Sequence, residues 1–231
     1  MNPFDVFLEE LLEHRWVPGE ESGNGQPAAI PERLIALRHA KATRLVVGML
    51  LKYGLLLHYV RTGTVIDLCC GSGFGAAYLA MQGLEVTALD CNELILERSA
   101  RKRKRIHVVH GNLWHSKMKP HDGAVFVDAL EHFAEENQLG ALERAREQLK
   151  LWGILLVDTP IAKVSHRESS KHQWVLSWDD LGSLVEKAGF DIVDRYVLAT
   201  FRDQFPVLMR TRNQPYVHKL SDQIVIARRR E

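Results

Sequence analysis

A chain of 231 residues, 46% hydrophobic and 26% charged, carries enough apolar material for one sizeable core, which excludes a disordered, collagen-like or disulfide-framed protein. With 30 Lys and Arg against 29 Asp and Glu, the formal net charge of +1 gives no global field for nucleic acid or an acidic membrane, so any charged partner must meet a local patch. Three cysteines, Cys69, Cys70 and Cys91, make no disulfide framework and predict a reducing, cytoplasmic setting.

Phe4, Phe7, Leu8, Leu11 and Leu12 recur at helical spacing and predict a short amphipathic helix over 4–14. Acidic residues there leave no positive n-region for a signal peptide. The longest apolar run, 45–60, is broken by Lys52 and His58, so no membrane span is expected. Residues 16–31 hold Pro18, Gly19, Gly23, Gly25, Pro27 and Pro31 and read as a loop. Pro31 suits a helical first turn, and helix in one or two pieces is expected from there to about residue 59. After Gly63 short β-rich runs alternate with helical patterns: TVIDLC, a helix over 74–82, EVTALD, a helix over 92–100, RIHVVH and GAVFVD. A helix over 135–149, GILLVD, a helix over 178–188, DIVDRYVL and QIVIARR follow. Seven strands alternating with helices predict an α/β fold around a mostly parallel sheet.

The strongest chemical signal is Asp67-Leu-Cys-Cys-Gly71-Ser-Gly73-Phe-Gly75-Ala76, between a predicted strand and a predicted helix. Glycines there allow a tight turn and close approach of a ligand to the backbone. Read as G-x-G-x-x-A, the run fits a dinucleotide fingerprint, in which helix N-terminal amides face a pyrophosphate. EVTALD ends in Asp90, an acid able to accept from ribose hydroxyls in either cofactor class. An NAD-dependent oxidoreductase is therefore one reading.

Asp67 stands four residues before Gly71, and D-x-x-x-G-x-G-x-G resembles motif I of the class I S-adenosylmethionine-dependent methyltransferases. The resemblance runs from about Thr64 to Arg228. His110-Gly111-Asn112-Leu113 is similar to the segment after the third strand, with Asn112 where the family commonly has an acid, and an amide oxygen can still accept from an adenine amino group. Phe126-Val-Asp128-Ala-Leu130-Glu131-His132 resembles the end of the fourth strand of small-molecule methyltransferases. Leu149-Lys-Leu-Trp-Gly153 resembles a Leu-Lys-Pro-Gly-Gly turn, with Leu151 and Trp152 standing for Pro and Gly. Ala188-Gly189-Phe190 matches the entry to the sixth strand.

The resemblance implies a Rossmann-like seven-stranded sheet with helices on both faces, an N-terminal helical lid region over 1–60 and a methyltransferase domain over 61–231. It implies S-adenosylmethionine as methyl donor, held by Asp67, Gly71, Gly73, Gly75, Asp90, Cys91, Asn112, Leu113 and Asp128. Methyl transfer needs alignment more than covalent help. A hydroxyl nucleophile still gains from a base, for which His132 is the first candidate and His172 the next, with packed structural histidines the alternative. Glu131 is a candidate contact to donor or substrate. The polar segment 159–174 brings His166, His172 and Trp174 to a strand end, where such sheets bind ligands; a surface loop is the plain alternative. Residues 201–220 hold Arg202, Arg210 and Arg212 among aromatics, which suits an anionic acceptor unless the loop is merely solvated.

The basic run 98–105 most simply reads as a solvated helix face, and the fourth strand lacks the signatures of base-methylating enzymes, so nucleic acid is disfavoured as a partner. His107 and His110 face opposite sides of a strand, and no Cys/His set has zinc spacing. Asp128 and Asp158 resemble the magnesium carboxylates of catechol-type enzymes, but Thr159 stands where that family has Asn, so no metal is expected. The expected acceptor is a small polar metabolite, methylated on oxygen in preference to nitrogen. A non-catalytic binding module of the same fold is a further alternative, and the oligomeric state is left open, a homodimer included.

Overall fold

The computed structural model describes residues 46–92, 104–162, 173–199, 206–211 and 221–231. Met1–Val46 is one unit, almost wholly outside the described residues, and Val47–Glu231 is a second, compact unit. The helix expected over 4–14 and the loop over 16–31 lie outside the description, the helix expected over 92–100 lies outside it from 93 onward, and His166, His172, Arg202 and Arg212 lie outside it as well.

The sheet is built around β1 (Thr64–Leu68), buried from Val65 onward, as a strand covered on both faces must be. β2 (Glu85–Asp90) and β3 (Ile106–His110) add in parallel on one side, and β4 (His121–Phe126) and β5 (Leu149–Pro160) in parallel on the other. β6 (Phe190–Ala199), β7 (Val207–Arg210) and β8 (Ser221–Arg229) complete an eight-stranded sheet in the order β3-β2-β1-β4-β5-β8-β6-β7. β8 lies antiparallel between β5 and β6, and β7 is an antiparallel edge strand on β6. The fold is therefore the expected mostly parallel α/β sandwich with one strand more than expected: Val207–Arg210, within the segment read as an insert, pairs with Tyr196–Ala199.

Helix α1 (residues 46–56) and α2 (Phe74–Met81) cover one face. There Tyr53, Leu56, Ala76 and Leu79 pack on Val65, Val125, Leu156 and Ile224. α3 (Glu135–Glu147) and α4 (Trp178–Lys187) cover the other, where Leu142, Ala145, Leu181 and Val185 meet Ile66, Leu68, Phe126 and Leu155. The alternation of Val65 and Ile66 between the two cores is the period-2 rule of a strand. It places Asp67 on the α1 side.

Strand order reverses between β1 and β4, so their carboxyl ends open a crevice at the topological switch point, the usual ligand site of such sheets. Two non-glycine residues at those ends take positive φ, Cys69 at 57° after β1 and Asp128 at 48° after β4. Such backbone concentrates where a site demands it. The third is Trp152, at φ 64°, occupying the position where the Leu-Lys-Pro-Gly-Gly pattern has its first Gly; its ring is exposed.

Candidate active site

The turn after β1 is fixed by backbone and one carboxylate. Cys70 N–H donates to Leu89 O at 3.0 Å, and Gly73 N–H to Cys70 O at 3.0 Å. Gly71, at φ 53°, donates its N–H to Asp90 Oδ2 at 2.8 Å, while Asp90 Oδ1 accepts from Asn92 N–H at 2.8 Å. A Cβ on Gly71 would meet nothing within 4 Å, so the turn borders open space. Gly73, at φ 75°, is the N-cap of α2 and offers no side chain to its first amides, which leaves the positive end of that helix beside the turn.

Asp67 and Gly75 lie one layer deeper. Asp67 is fully buried and accepts from the Tyr53 hydroxyl at 3.2 Å. Burial pushes its carboxyl up to about 8, against the opposing bonds from Tyr53 and the Ala76 amide. A Cβ on Gly75 would overlap the Tyr53 ring, so the glycine there makes room for Tyr53. Burial also pushes the Cys69 thiol up to about 12, with the Asp90 charge adding to it, so that thiol is no ready nucleophile.

On the β2–β3 side, Cys91 is exposed and its carbonyl lies 3.0 Å from His110 Nε2. Exposed Asn112 accepts at Oδ1 from Trp114 N–H at 2.9 Å, an Asx-type turn, and Leu113 tucks into the core.

On the β4 side, Asp128 leads into a 3-10 turn, Leu130–His132. His132 is exposed on it, whereas Glu131 is buried and its Oε2 has no hydrogen-bond partner. Burial, then the Asp128 charge, push the Glu131 carboxyl up to about 8, with smaller opposing effects from its own backbone amide, Lys52 and Thr159. The Glu131 carbonyl accepts from Gln173 N–H at 2.7 Å and Trp174 N–H at 3.2 Å, pinning the returning segment to the site. Trp174 packs half-buried against the core.

Sequence reasoning missed a further group. Lys52 of α1 places Nζ 2.7 Å from Asp128 Oδ1, 2.8 Å from Asp158 Oδ2 and 2.9 Å from Asp222 Oδ2. Burial alone would lower its pKa, but the Asp158, Asp222 and Asp128 carboxylates outweigh that and hold the ammonium well above its ordinary value. Asp158 is pushed upward by burial, against the attraction of Lys52. The signals in the sequence were a Lys inside an apolar helical run and the pairing of Asp128 with Asp158 through the resemblance to magnesium carboxylates; nothing pointed to Asp222. Among the described residues, these three aspartates form the group whose oxygens lie close enough to hold a cation, and the Lys52 ammonium stands among them.

Arg210 sits apart, exposed on the edge strand β7, and its Nε donates to Asp194 Oδ1 at 2.6 Å; hydrogen bonding and attraction to Asp194 raise its pKa. The site thus brings together Gly71, Gly73, Asp90, Asp128, Glu131 and His132 along the edges of β1, β2 and β4, with Asp67 and Gly75 beneath.

A model of a methyltransferase domain family matches residues 37–195. The chain is 28% identical over 151 residues to a Mycolicibacterium smegmatis protein named "Probable S-adenosylmethionine-dependent methyltransferase", covering 62% of this chain and 57% of that one. It therefore spans somewhat over half the length of that relative. An uncharacterized methyltransferase of Synechocystis is 27% identical over 158 residues, covering 58% of this chain and 70% of its own. Among solved structures, 1,6-didemethyltoxoflavin-N1-methyltransferase of Burkholderia thailandensis, bound to its substrate and S-adenosylhomocysteine, superimposes with a TM-score of 0.66 at 19% identity, covering 90% of this chain and 94% of that one. No helix among the described residues is long and apolar enough to cross a membrane. The family match over more than half of the chain, joined to the switch-point crevice and the glycine turn held by Asp90, establishes that the chain belongs to the methyltransferase domain family, of the class I S-adenosylmethionine-dependent type.

Proposed function

We propose that the protein transfers a methyl group from S-adenosylmethionine to an oxygen or nitrogen of a small polar acceptor. The observation that carries this is the switch point between β1 and β4, where the Gly71 turn borders open space and is held by the Asp90 carboxylate. The bound donor supplies an electrophilic methyl carbon on a cationic sulfur. Asp90 holds the Gly71 amide with one oxygen and the Asn92 amide with the other, and each oxygen keeps a lone pair for a ribose hydroxyl. Asn112 likewise keeps a lone pair at Oδ1, beyond the one used by Trp114, for an adenine amino group, with Leu113 and Cys91 flanking. Asp67 and Gly75 act from below, by fixing the turn and seating Tyr53.

In this reading proton transfer divides between neighbours. With its carboxyl raised to about 8, Glu131 keeps its proton at neutral pH and can donate a hydrogen bond to the acceptor, so the base role falls to exposed His132, with His172 outside the described residues. The described wall is acidic, which favours an acceptor with N–H or O–H groups. An anionic acceptor would be met by Arg202 and Arg212, since Arg210 is engaged by Asp194. The lid role of the N-terminal region, a cytoplasmic location and a small-molecule partner belong to the same proposal.

Calorimetric titration with S-adenosylhomocysteine and with NADH tests the cofactor class, and incubation of the protein with labelled donor and a metabolite extract tests transfer. Binding of the first ligand and a labelled product are expected. Binding of NADH alone would return the chain to the dinucleotide enzymes, and donor binding without any product would make it a binding module.

A further inference from the structure

We propose that Lys52 is the built-in cation of the crevice, its ammonium standing where three convergent carboxylates would otherwise hold a divalent metal, and that it thereby positions Asp128 beside the donor. The donor part of this statement rests on the function proposed above; the cation part does not.

Asp128, Asp158 and Asp222 come from the end of β4, from β5 and from β8. Asp158 lies opposite Ile224 and Pro160 opposite Asp222, which puts Asp158 and Asp222 on one face of the antiparallel pair, the face that α1 covers. The three carboxylate oxygens lie within 4.8 Å of one another. Calcium takes oxygens at about 2.3–2.6 Å, so ligands on opposite sides of one ion stand roughly 5 Å apart. Three carboxylates at this separation are therefore a calcium-sized hole, and Lys52 Nζ fills it at 2.7, 2.8 and 2.9 Å, donating a hydrogen bond to Asp128 and pairing by charge with Asp158 and Asp222.

The hole is dry on the inside and open on the outside. The Lys52 and Asp158 side chains are 4% and 0% exposed, against 41% for Asp128 and 27% for Asp222. A buried ammonium is retained where it is paired and hydrogen-bonded. Within the buried part of the group both Asp158 oxygens lack a hydrogen-bond partner, as does the neighbouring Glu131 Oε2. Asp128, whose backbone sits at φ 48°, is the most exposed member of the group, and its Oδ1 accepts the hydrogen bond from Lys52 Nζ.

The test uses the full chain as wild type, Lys52→Ala and Lys52→Met, each melted and titrated with S-adenosylhomocysteine in chelator and in excess calcium. The wild type should be indifferent to calcium in both. Lys52→Ala should bind calcium, melt several degrees higher with it, and lose roughly tenfold or more in ligand affinity in chelator, with recovery on adding calcium. Lys52→Met, whose side chain fills the hole without charge, should lose affinity and show no recovery. Should Lys52→Ala fold poorly, calcium dependence of its melting reads the same property. Equal melting of Lys52→Ala with and without calcium, or unchanged ligand affinity in chelator, would overturn the proposal. A wild type that binds no S-adenosylhomocysteine would defeat the methyltransferase reading instead, leaving the calcium response of Lys52→Ala to decide the cation role.

Discussion

Asp90 accepts the Gly71 amide at 2.8 Å, so the acid that ends β2 holds the turn that follows β1. One side chain thereby shapes the cradle and, in the proposed function, also contacts the donor, and the two roles respond differently to substitution. Asp90→Ala removes a charged acceptor from both, and affinity for S-adenosylhomocysteine should fall by about 1.5–3 kcal/mol, roughly ten- to a hundredfold. Asp90→Asn keeps one acceptor oxygen and should lose less. Titration calorimetry on the two variants decides it, and equal affinity of Asp90→Ala and wild type would remove Asp90 from the donor site.

Gly75 belongs to Tyr53. Because a Cβ there would overlap the Tyr53 ring, Gly75→Ala should destabilise the fold by about 1–3 kcal/mol, the range for forcing extra volume into a packed core. In the Tyr53→Ala background the same substitution should cost much less, and a double-mutant cycle of denaturant midpoints measures the difference. If Gly75→Ala instead melts like wild type and loses donor affinity alone, the glycine serves the ligand.

What could be read from the chain was local. The glycine turn, the acid closing β2 and the strand–helix alternation each lie within about ten residues and obey turn chemistry or periodicity. Lys52 was visible as a charge in an apolar run, and Asp128 and Asp158 were paired by the resemblance to magnesium carboxylates, but Lys52 and its partners come from α1, β4, β5 and β8, Asp128 standing 76 residues from Lys52, and no local pattern joins the Lys to them or adds Asp222. The edge strand Val207–Arg210 was missed for the same reason: four residues inside an Arg-rich, aromatic segment gain their structure by pairing with β6. That pairing also sets Arg210 against Asp194, a partner the sequence separates from it by 16 residues.

His132 is exposed on the 3-10 turn beside the crevice. As the proposed proton acceptor it would act in the chemical step, so His132→Ala should lower kcat by roughly 10²–10⁴ and leave S-adenosylhomocysteine affinity where it was. The measurement is single-turnover transfer from labelled donor once an acceptor is in hand. Full activity would move the base to His172, and loss of donor affinity without loss of kcat would make His132 a binding residue.

Glu131 makes stability depend on pH in a definite direction. Its carboxyl ionises near 4.5 when unfolded but is held up to about 8 by burial and by the Asp128 charge. Between those values the folded chain keeps a proton that the unfolded chain has released, so stability falls as pH rises, by at most about 1.4 kcal/mol per pH unit for this one group. The contribution is whole below the unfolded value and gone once pH has passed the folded one. Asp67, raised from 3.8 to about 8 by burial, acts in the same direction over nearly the same window. Glu131→Gln should therefore leave a shallower decline between about 4.5 and about 8, and Glu131→Gln with Asp67→Asn a shallower one still. Denaturant unfolding across that window measures the slopes. A Glu131→Gln variant with an unaltered slope would mean that Glu131 is ionised in the folded protein, and the hydrogen bond proposed from it to the acceptor would have to come from another group.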